Sequence, residues 1–191
     1  MKLGVMCSGN GTNFENIVRT CRQDEVVLMI YNTEKCGAMK RAAKLGIPSL
    51  YIKSTDETKI IDEFKRVGVD VIVLAGWMRI ISPKFVQAFP NRIINVHPSL
   101  LPKYKGLNVV QRAMEAGESV TGCTVHYVND ELDGGEIIIQ REVPIHPEDT
   151  IKTLTRKIQL QEYGILPAAL EIIKERLGIN FVTEILKFQH I

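Results

Sequence analysis

Asn95 and His97 stand two residues apart at the end of the apolar run "RIINV", and Pro98 follows them. Side chains at i and i+2 of a strand leave on the same face, and a proline restricts the residue before it to extended conformations. Such a strand end delivers an amide and an imidazole together into a ligand cleft. The amide can donate to a developing oxyanion, and the imidazole can pass a proton near neutral pH. With no nucleophile beside them, the pair points to direct group transfer and away from a covalent enzyme intermediate. Ser99 is the nearest hydroxyl and has no G-x-S-x-G context, which disfavours a serine hydrolase. A histidine acting as an acid needs a carboxylate that orients it and favours its protonated form. "NDELDGG" offers Asp130, Glu131 and Asp133, and Asp133, directly before Gly134 and Gly135, has the most constrained surroundings. The plainer alternative is that all three acids solvate a hairpin. His126, within "TVHYV", and His146 and His190 are expected to be structural histidines.

A second chemical segment is "CSGNGTNFENIV". Gly9 and Gly11 allow a sharp turn and close approach of backbone to ligand, and Thr12 and Asn13 offer donors at a helix start. One phosphate monoester on this helix N-terminus is the expectation; a plain strand-to-helix turn capped by Thr12 or Asn13 is the alternative. A dinucleotide fingerprint would need glycine or alanine where Phe14 stands and an acid closing the second strand, where the chain reads "IYN". A nucleoside-triphosphate loop would need G-K-[ST] after the glycines, which is absent.

Positioning these groups requires a sheet. Strand-length apolar runs alternate with helical segments: "KLGVMC", Thr12 to Arg22, "VVLMIY", Ala38 to Leu45, "SLYI", Glu57 to Val67, "VDVIVLAG", Pro83 to Ala88 and "RIINV". Continuous apolar strands need both faces covered, so the fold class is α/β, a mostly parallel twisted sheet with helices on both faces. After a helix expected over Leu107 to Glu115, "TGCTVHYV" and "EIIIQREVPI" form an antiparallel C-terminal addition joined through "NDELDGG". A final helix is expected from Thr150 to about Lys174, continuing or kinking at Pro167. The tail after Gly178 reads as one more short apolar element. Open α/β sheets bind ligands at the carboxyl ends of their strands, where "SGNGTN", "GWMRI", "NVHP" and "NDELDGG" converge.

With 191 residues, 45% hydrophobic and 24% charged, the chain suits one domain over 1–191. A net charge of +2 gives no bulk drive toward nucleic acid or membrane, though a local basic pocket can still hold an anion. Cys7, Cys21, Cys36 and Cys123 lie far apart with no C-x-x-C pair, so buried thiols in a reducing compartment are expected, with no metal site. No signal-peptide pattern and no apolar run of about 18 residues is present, and a cytoplasmic protein is expected. Monomer and homodimer both remain open.

Taken in order, "SGNGTN", "VLAGWMRIISP", "NVHPSLLPKYKG", "TGCTVHYVNDELDGG" and "QLQE" span nearly the whole chain. Together they resemble the glycinamide ribonucleotide formyltransferase family, the folate-dependent enzymes of the third step of purine synthesis. "HPSLLP" with "LDGG" alone would mark only the wider group of formyltetrahydrofolate-using enzymes. The resemblance implies a Rossmann-like formyltransferase fold and two small-molecule substrates, glycinamide ribonucleotide and the cosubstrate 10-formyltetrahydrofolate. It implies a phosphate-binding half over about 1–95 and a folate-binding, catalytic half over about 96–191. Gly11, Thr12 and Asn13 would hold the ribonucleotide phosphate, and Glu162 its ribose or glycinamide portion. Met78, Arg79, Ile80 and Ile81 would line the pterin pocket with Asn95, and Asn129, Asp130, Glu131, Leu132 and Asp133 would close it. Asn95, His97 and Asp133 would be the catalytic set.

The chain departs from the family pattern in three places. "LNVVQRA" replaces a histidine-bearing "LHTHRQA", so Asn108 to Val110 lacks those imidazoles. Tyr163 stands where a histidine commonly follows "QE". The folate-tail arginine has no clear match; Lys53 or Lys59 could supply a point charge but not a bidentate fork. A formyltetrahydrofolate hydrolase would use the same three catalytic groups with water as acceptor. A methionyl-tRNA formyltransferase would add an RNA-binding domain, a formyl-sugar-nucleotide relative would share the cradle, and a non-catalytic nucleotide-binding module would share only fold and loop. "KYKGLN", with Gly106 as hinge and two lysines, fits either a mobile lid or an ordinary solvated loop.

Overall fold

A computed structural model describes residues 1–179. The elements are β1 (Lys2–Cys7), α1 (Thr12–Thr20), β2 (Glu25–Tyr31), α2 (Gly37–Leu45), β3 (Ser49–Tyr51), α3 (Glu57–Val67), β4 (Val71–Leu74), α4 (Pro83–Ala88) and β5 (Ile93–His97). They continue with α5 (Val109–Glu115), β6 (Val120–Tyr127), β7 (Ile137–Pro144) and α6 (Ile151–Arg176). One seven-stranded sheet runs in the order β3-β2-β1-β4-β5-β6-β7. The first five strands are parallel, and β6 and β7 add antiparallel to the β5 edge. Strand order reverses between β1 and β4, which places the ligand crevice of such a sheet at the carboxyl ends of these two strands.

Alternation along the strands splits the core in two. Leu3, Val5 and Cys7 of β1 turn toward the cluster that holds Phe14, Ile17, Ile158, Ile165 and Leu166, on the side of α1 and α6. Met6 turns to the opposite cluster with Ile60, Phe64 and Phe85, on the side of α3 and α4. The continuous apolar character of these strands therefore follows from coverage on both faces.

The alternation of strands and helices, the antiparallel addition and the passage of the last helix through Pro167 agree with the sequence expectations, and two boundaries near the site differ. Helix α5 begins at Val109, not Leu107, because Asn108 takes a left-handed φ of 55° ahead of it, a conformation that asparagine tolerates. The expected strand "VDVIVLAG" is cut short: β4 stops at Leu74 and Gly76 turns the chain with φ 76°, which puts Met78 to Ile81 in a loop. Helix α6 continues through Pro167 to Arg176. The hydrogen bond lost at a proline is offset by a buried stripe of Leu154, Ile158, Ile165, Leu166, Ala169, Leu170 and Ile173. Thr150 and Thr153 close the front of α6 with a reciprocal capping box. Beyond Ile179, the expected apolar tail element and His190 lie outside the described residues.

Candidate active site

The pairing of β5 with β6 sets the first part of the site. Asn95 lies directly opposite His126 in the antiparallel ladder, and His97 opposite Thr124. Cross-strand neighbours on one face come within contact distance, and Asn95 Nδ2 is 3.3 Å from His126 Nε2. The His126 Nδ1–H donates to the Tyr127 carbonyl at 2.8 Å, so Nε2 carries the lone pair and accepts from Asn95. Burial pushes the His126 imidazole down, with the Tyr127 carbonyl and Asp133 opposing only in part, which keeps it neutral at pH 7. His126, expected to be a structural histidine, is instead a cleft residue that fixes the Asn95 amide, leaving one amide N–H and Oδ1 of Asn95 for a ligand.

His97 shares the Asn95 face but does not stand open beside it. It is 5% exposed and is held at both ring nitrogens. Its Nε2–H donates to the Tyr104 carbonyl at 2.8 Å, and its Nδ1 lies 3.5 Å from Asp133 Oδ2. Both ring nitrogens thus face oxygen acceptors. Asp133 Oδ2 also accepts from Gly106 N at 2.8 Å, and Oδ1 lies 3.7 Å from His126 Nε2. One carboxylate therefore faces both histidines. Asp133 has a left-handed φ of 49°, and the turn that aims it is closed by Gly134 N donating to the Glu131 carbonyl. Ser99 is fully buried and donates to the Lys103 and Tyr104 carbonyls, a structural role far from a nucleophile's.

A cleft opens at this cluster, lined by Asn95, His126 and Val128 to Asp133 together with Leu74, Trp77, Arg79, Ile80 and Ile81. Of the segment Met78 to Ile81, Met78 does not line the cleft. Its N–H is committed to Ser8 Oγ at 2.8 Å, which ties the loop after β4 to the loop after β1. Trp77, one residue earlier, takes its place and went unrecognised in the sequence, where it reads as core. The loop after His97 reaches across to the acidic segment: Lys105 Nζ pairs with Glu131 at 2.6 Å, and Lys103 pairs with Glu118 at 3.0 Å.

The glycine loop lies at the carboxyl end of β1. Gly11 caps α1 in a left-handed conformation with φ 74°, and a Cβ there would come within 2.7 Å of the Ala38 backbone. Glycine is required on both counts. Thr12 opens the helix, and Asn13 Nδ2 donates to Glu162 Oε2 of α6 at 2.9 Å. Asn13 Oδ1 is buried with no hydrogen-bond partner. Burial pushes the Glu162 carboxyl up to about 7, with the Asn13 bond opposing. The folded state therefore holds its proton more tightly than the unfolded chain. Stability from this group is full below the unfolded value near 4.5 and is lost as pH rises through about 7. The total is roughly 3 kcal/mol. In thermal melts from pH 5 to 8, Glu162→Gln is expected to remove this decline, and a variant whose melting temperature tracks the wild type across that range would refute it.

The cysteines are not nucleophiles. Burial pushes the Cys7 thiol upward and that of Cys123 up to about 12, so both stay protonated. Cys36 is also buried, and Cys21 is half-buried.

Comparison with known proteins gives a consistent result. Residues 1–170 match the family model described as formyl transferase. The chain is 40% identical to phosphoribosylglycinamide formyltransferase of Haemophilus influenzae over 185 residues, covering 91% of this chain and 87% of that protein. It is 41% identical to the trifunctional purine biosynthetic protein adenosine-3 of Drosophila pseudoobscura pseudoobscura, covering 90% of this chain but only 14% of that longer protein. A crystal structure of phosphoribosylglycinamide formyltransferase from Anaplasma phagocytophilum superposes with a TM-score of 0.89 at 36% identity, covering 92% of this chain and 88% of that one.

Proposed function

We propose, from the premise that this chain belongs to the formyl transferase family, that it transfers the formyl group of 10-formyltetrahydrofolate to the amine of glycinamide ribonucleotide, yielding formylglycinamide ribonucleotide in de novo purine (IMP) biosynthesis. The observation that carries the mechanism is the meeting of Asn95, His97, His126 and Asp133 around one carboxylate beside a half-apolar cleft. Transfer is direct. The ribonucleotide amine attacks the formyl carbon, forming a tetrahedral intermediate whose oxyanion meets the free amide N–H of Asn95 and protonated His97. The bond from that carbon to folate N10 then breaks as N10 gains a proton, and the proton lost by the amine leaves through Asp133 or water. A preorganised donor in a water-poor site stabilises such an oxyanion more than water does.

Binding follows the two ends of the crevice. Gly11, Thr12 and Asn13 hold the phosphate with backbone and side-chain donors at the start of α1. Glu162, held near neutrality beside Asn13, meets the ribose or glycinamide portion. Arg79, Ile80, Ile81 and Asn129 to Asp133 take the pterin in the cleft, with Trp77 as a further wall. The phosphate-binding half then lies in about 1–95, with Glu162 contributed from the catalytic half, and the protein works in the cytoplasm as a monomer or homodimer. Among the described residues no helix is long and apolar enough to cross a membrane.

Incubating the protein with 10-formyltetrahydrofolate, with and without glycinamide ribonucleotide, tests the proposal. Tetrahydrofolate release is expected to depend on the ribonucleotide. Equal release without it would make the protein a hydrolase, and binding without release would make it a non-catalytic module.

A further inference from the structure

Tyr104 has no part in the roles assigned above except through its carbonyl, yet both its backbone and its side chain are restrained. It adopts a left-handed φ of 56°. For a bulky non-glycine residue this is a strained backbone that persists only where its surroundings determine it, and such strain gathers at functional sites. Three restraints supply that determination. The phenol donates to Glu118 Oε1 at 2.9 Å, the Arg112 guanidinium lies 5.5 Å from the ring centroid, and Ser99 Oγ donates to the Tyr104 carbonyl at 3.2 Å. Arg112 also donates to the Lys105 carbonyl at 2.7 Å, fixing the next residue. Glu118 is itself pinned by Lys103.

We infer that Tyr104 is a positioning residue for His97: the Tyr104–Glu118 clasp holds the strained backbone so that its carbonyl binds the His97 Nε2–H, leaving Nδ1 as the nitrogen that carries the transferred proton. The Tyr104 carbonyl takes Nε2 at 2.8 Å, a full hydrogen bond, while Nδ1 stands 3.5 Å from Asp133 Oδ2, loose enough for a reacting oxygen or nitrogen to compete for its proton. Without the carbonyl the ring could turn over or take the other tautomer, and the working nitrogen would no longer be defined. The charged and titratable groups facing His97 are Asp133 from the acidic loop and His126 from β6; Lys105 of the adjoining loop acts on His126 and pairs with Glu131. The Tyr104 phenol points away from this group, to Glu118. A change at the clasp therefore reaches His97 through the carbonyl and adds no charge to its surroundings.

Tyr104→Phe and Glu118→Gln alter the two ends of one hydrogen bond, so a folding failure in one leaves the other informative. Each is expected to lower kcat about tenfold, because small displacements of a catalytic group cost rate, with KM for both substrates within about twofold. The kinetic arm rests on the formyl-transfer reading; the spectroscopic arm does not. Proton–nitrogen ring correlations of the substrate-free protein, recorded where His97 is neutral, are expected to show the Nε2–H tautomer in the wild type and a mixture in both variants. Wild-type protein showing Nδ1–H would overturn the inference. So would variants that keep Nε2–H, whether or not kcat falls, because that pattern describes a merely structural loop. If the wild type shows no formyl transfer at all, the formyl-transfer reading fails, and the tautomer result still decides the positioning role.

Discussion

His97→Ala is expected to lower kcat for formyl transfer by about 10²- to 10⁴-fold, the range supplied by general acid–base groups. That is about 3–5 kcal/mol of transition-state stabilisation. The loss should fall on kcat, because the role proposed for His97 lies in the transition state and not in holding either substrate. Stability should change much less. After truncation Asp133 Oδ2 keeps the Gly106 N–H, and the Tyr104 carbonyl keeps the Ser99 hydroxyl, so neither buried acceptor is orphaned. The cost to folding is then limited to lost packing and one charge-assisted contact, about 1–3 kcal/mol. Steady-state kinetics and a thermal melt on the same preparation separate the two effects. Wild-type turnover in the variant would remove His97 from the mechanism, and a collapse in stability matching the loss of rate would reduce it to a structural residue.

The parts of this site that can be read from sequence are those determined by one strand and its next residue. Asn95 and His97 share a face because strand periodicity is two, and Pro98 marks where the strand stops. Asp133 stood out because the glycines after it demand a turn. His126 was illegible as a site residue because its meaning lies in register. It faces Asn95 only through antiparallel pairing across 31 residues, beside an irregularity between Val125 and His126 in the β6–β7 ladder. A histidine alternating with Thr124 on the less apolar face of "TVHYV" was the available signal. Glu162 meets Asn13 across 149 residues, a contact set by how α6 packs on α1. The burial of His97 and the use of the Tyr104 carbonyl depend on the course of the loop from Ser99 to Asn108. The left-handed backbone at Tyr104 and Asn108 has no side-chain pattern that announces it.

Asp133→Asn is expected to lower kcat by about 10²-fold or more, although the substitution is nearly isosteric. The carboxylate serves three groups with two oxygens: Gly106 N–H and His97 Nδ1 share Oδ2, and His126 Nε2 faces Oδ1. An asparagine can keep only one oxygen. If that oxygen stays with Gly106 N–H, the strongest contact at 2.8 Å, the new amide group turns toward His126 Nε2. There it competes with Asn95 Nδ2 for the single lone pair of a neutral imidazole, so the oxyanion donor loosens along with the acid. His97 meanwhile loses the carboxylate that its Nδ1 faces, and charge-assisted contacts are roughly twice as strong as neutral ones. Steady-state kinetics of the variant at one pH test this, and wild-type kcat would leave Asp133 as a loop residue with no part in proton transfer.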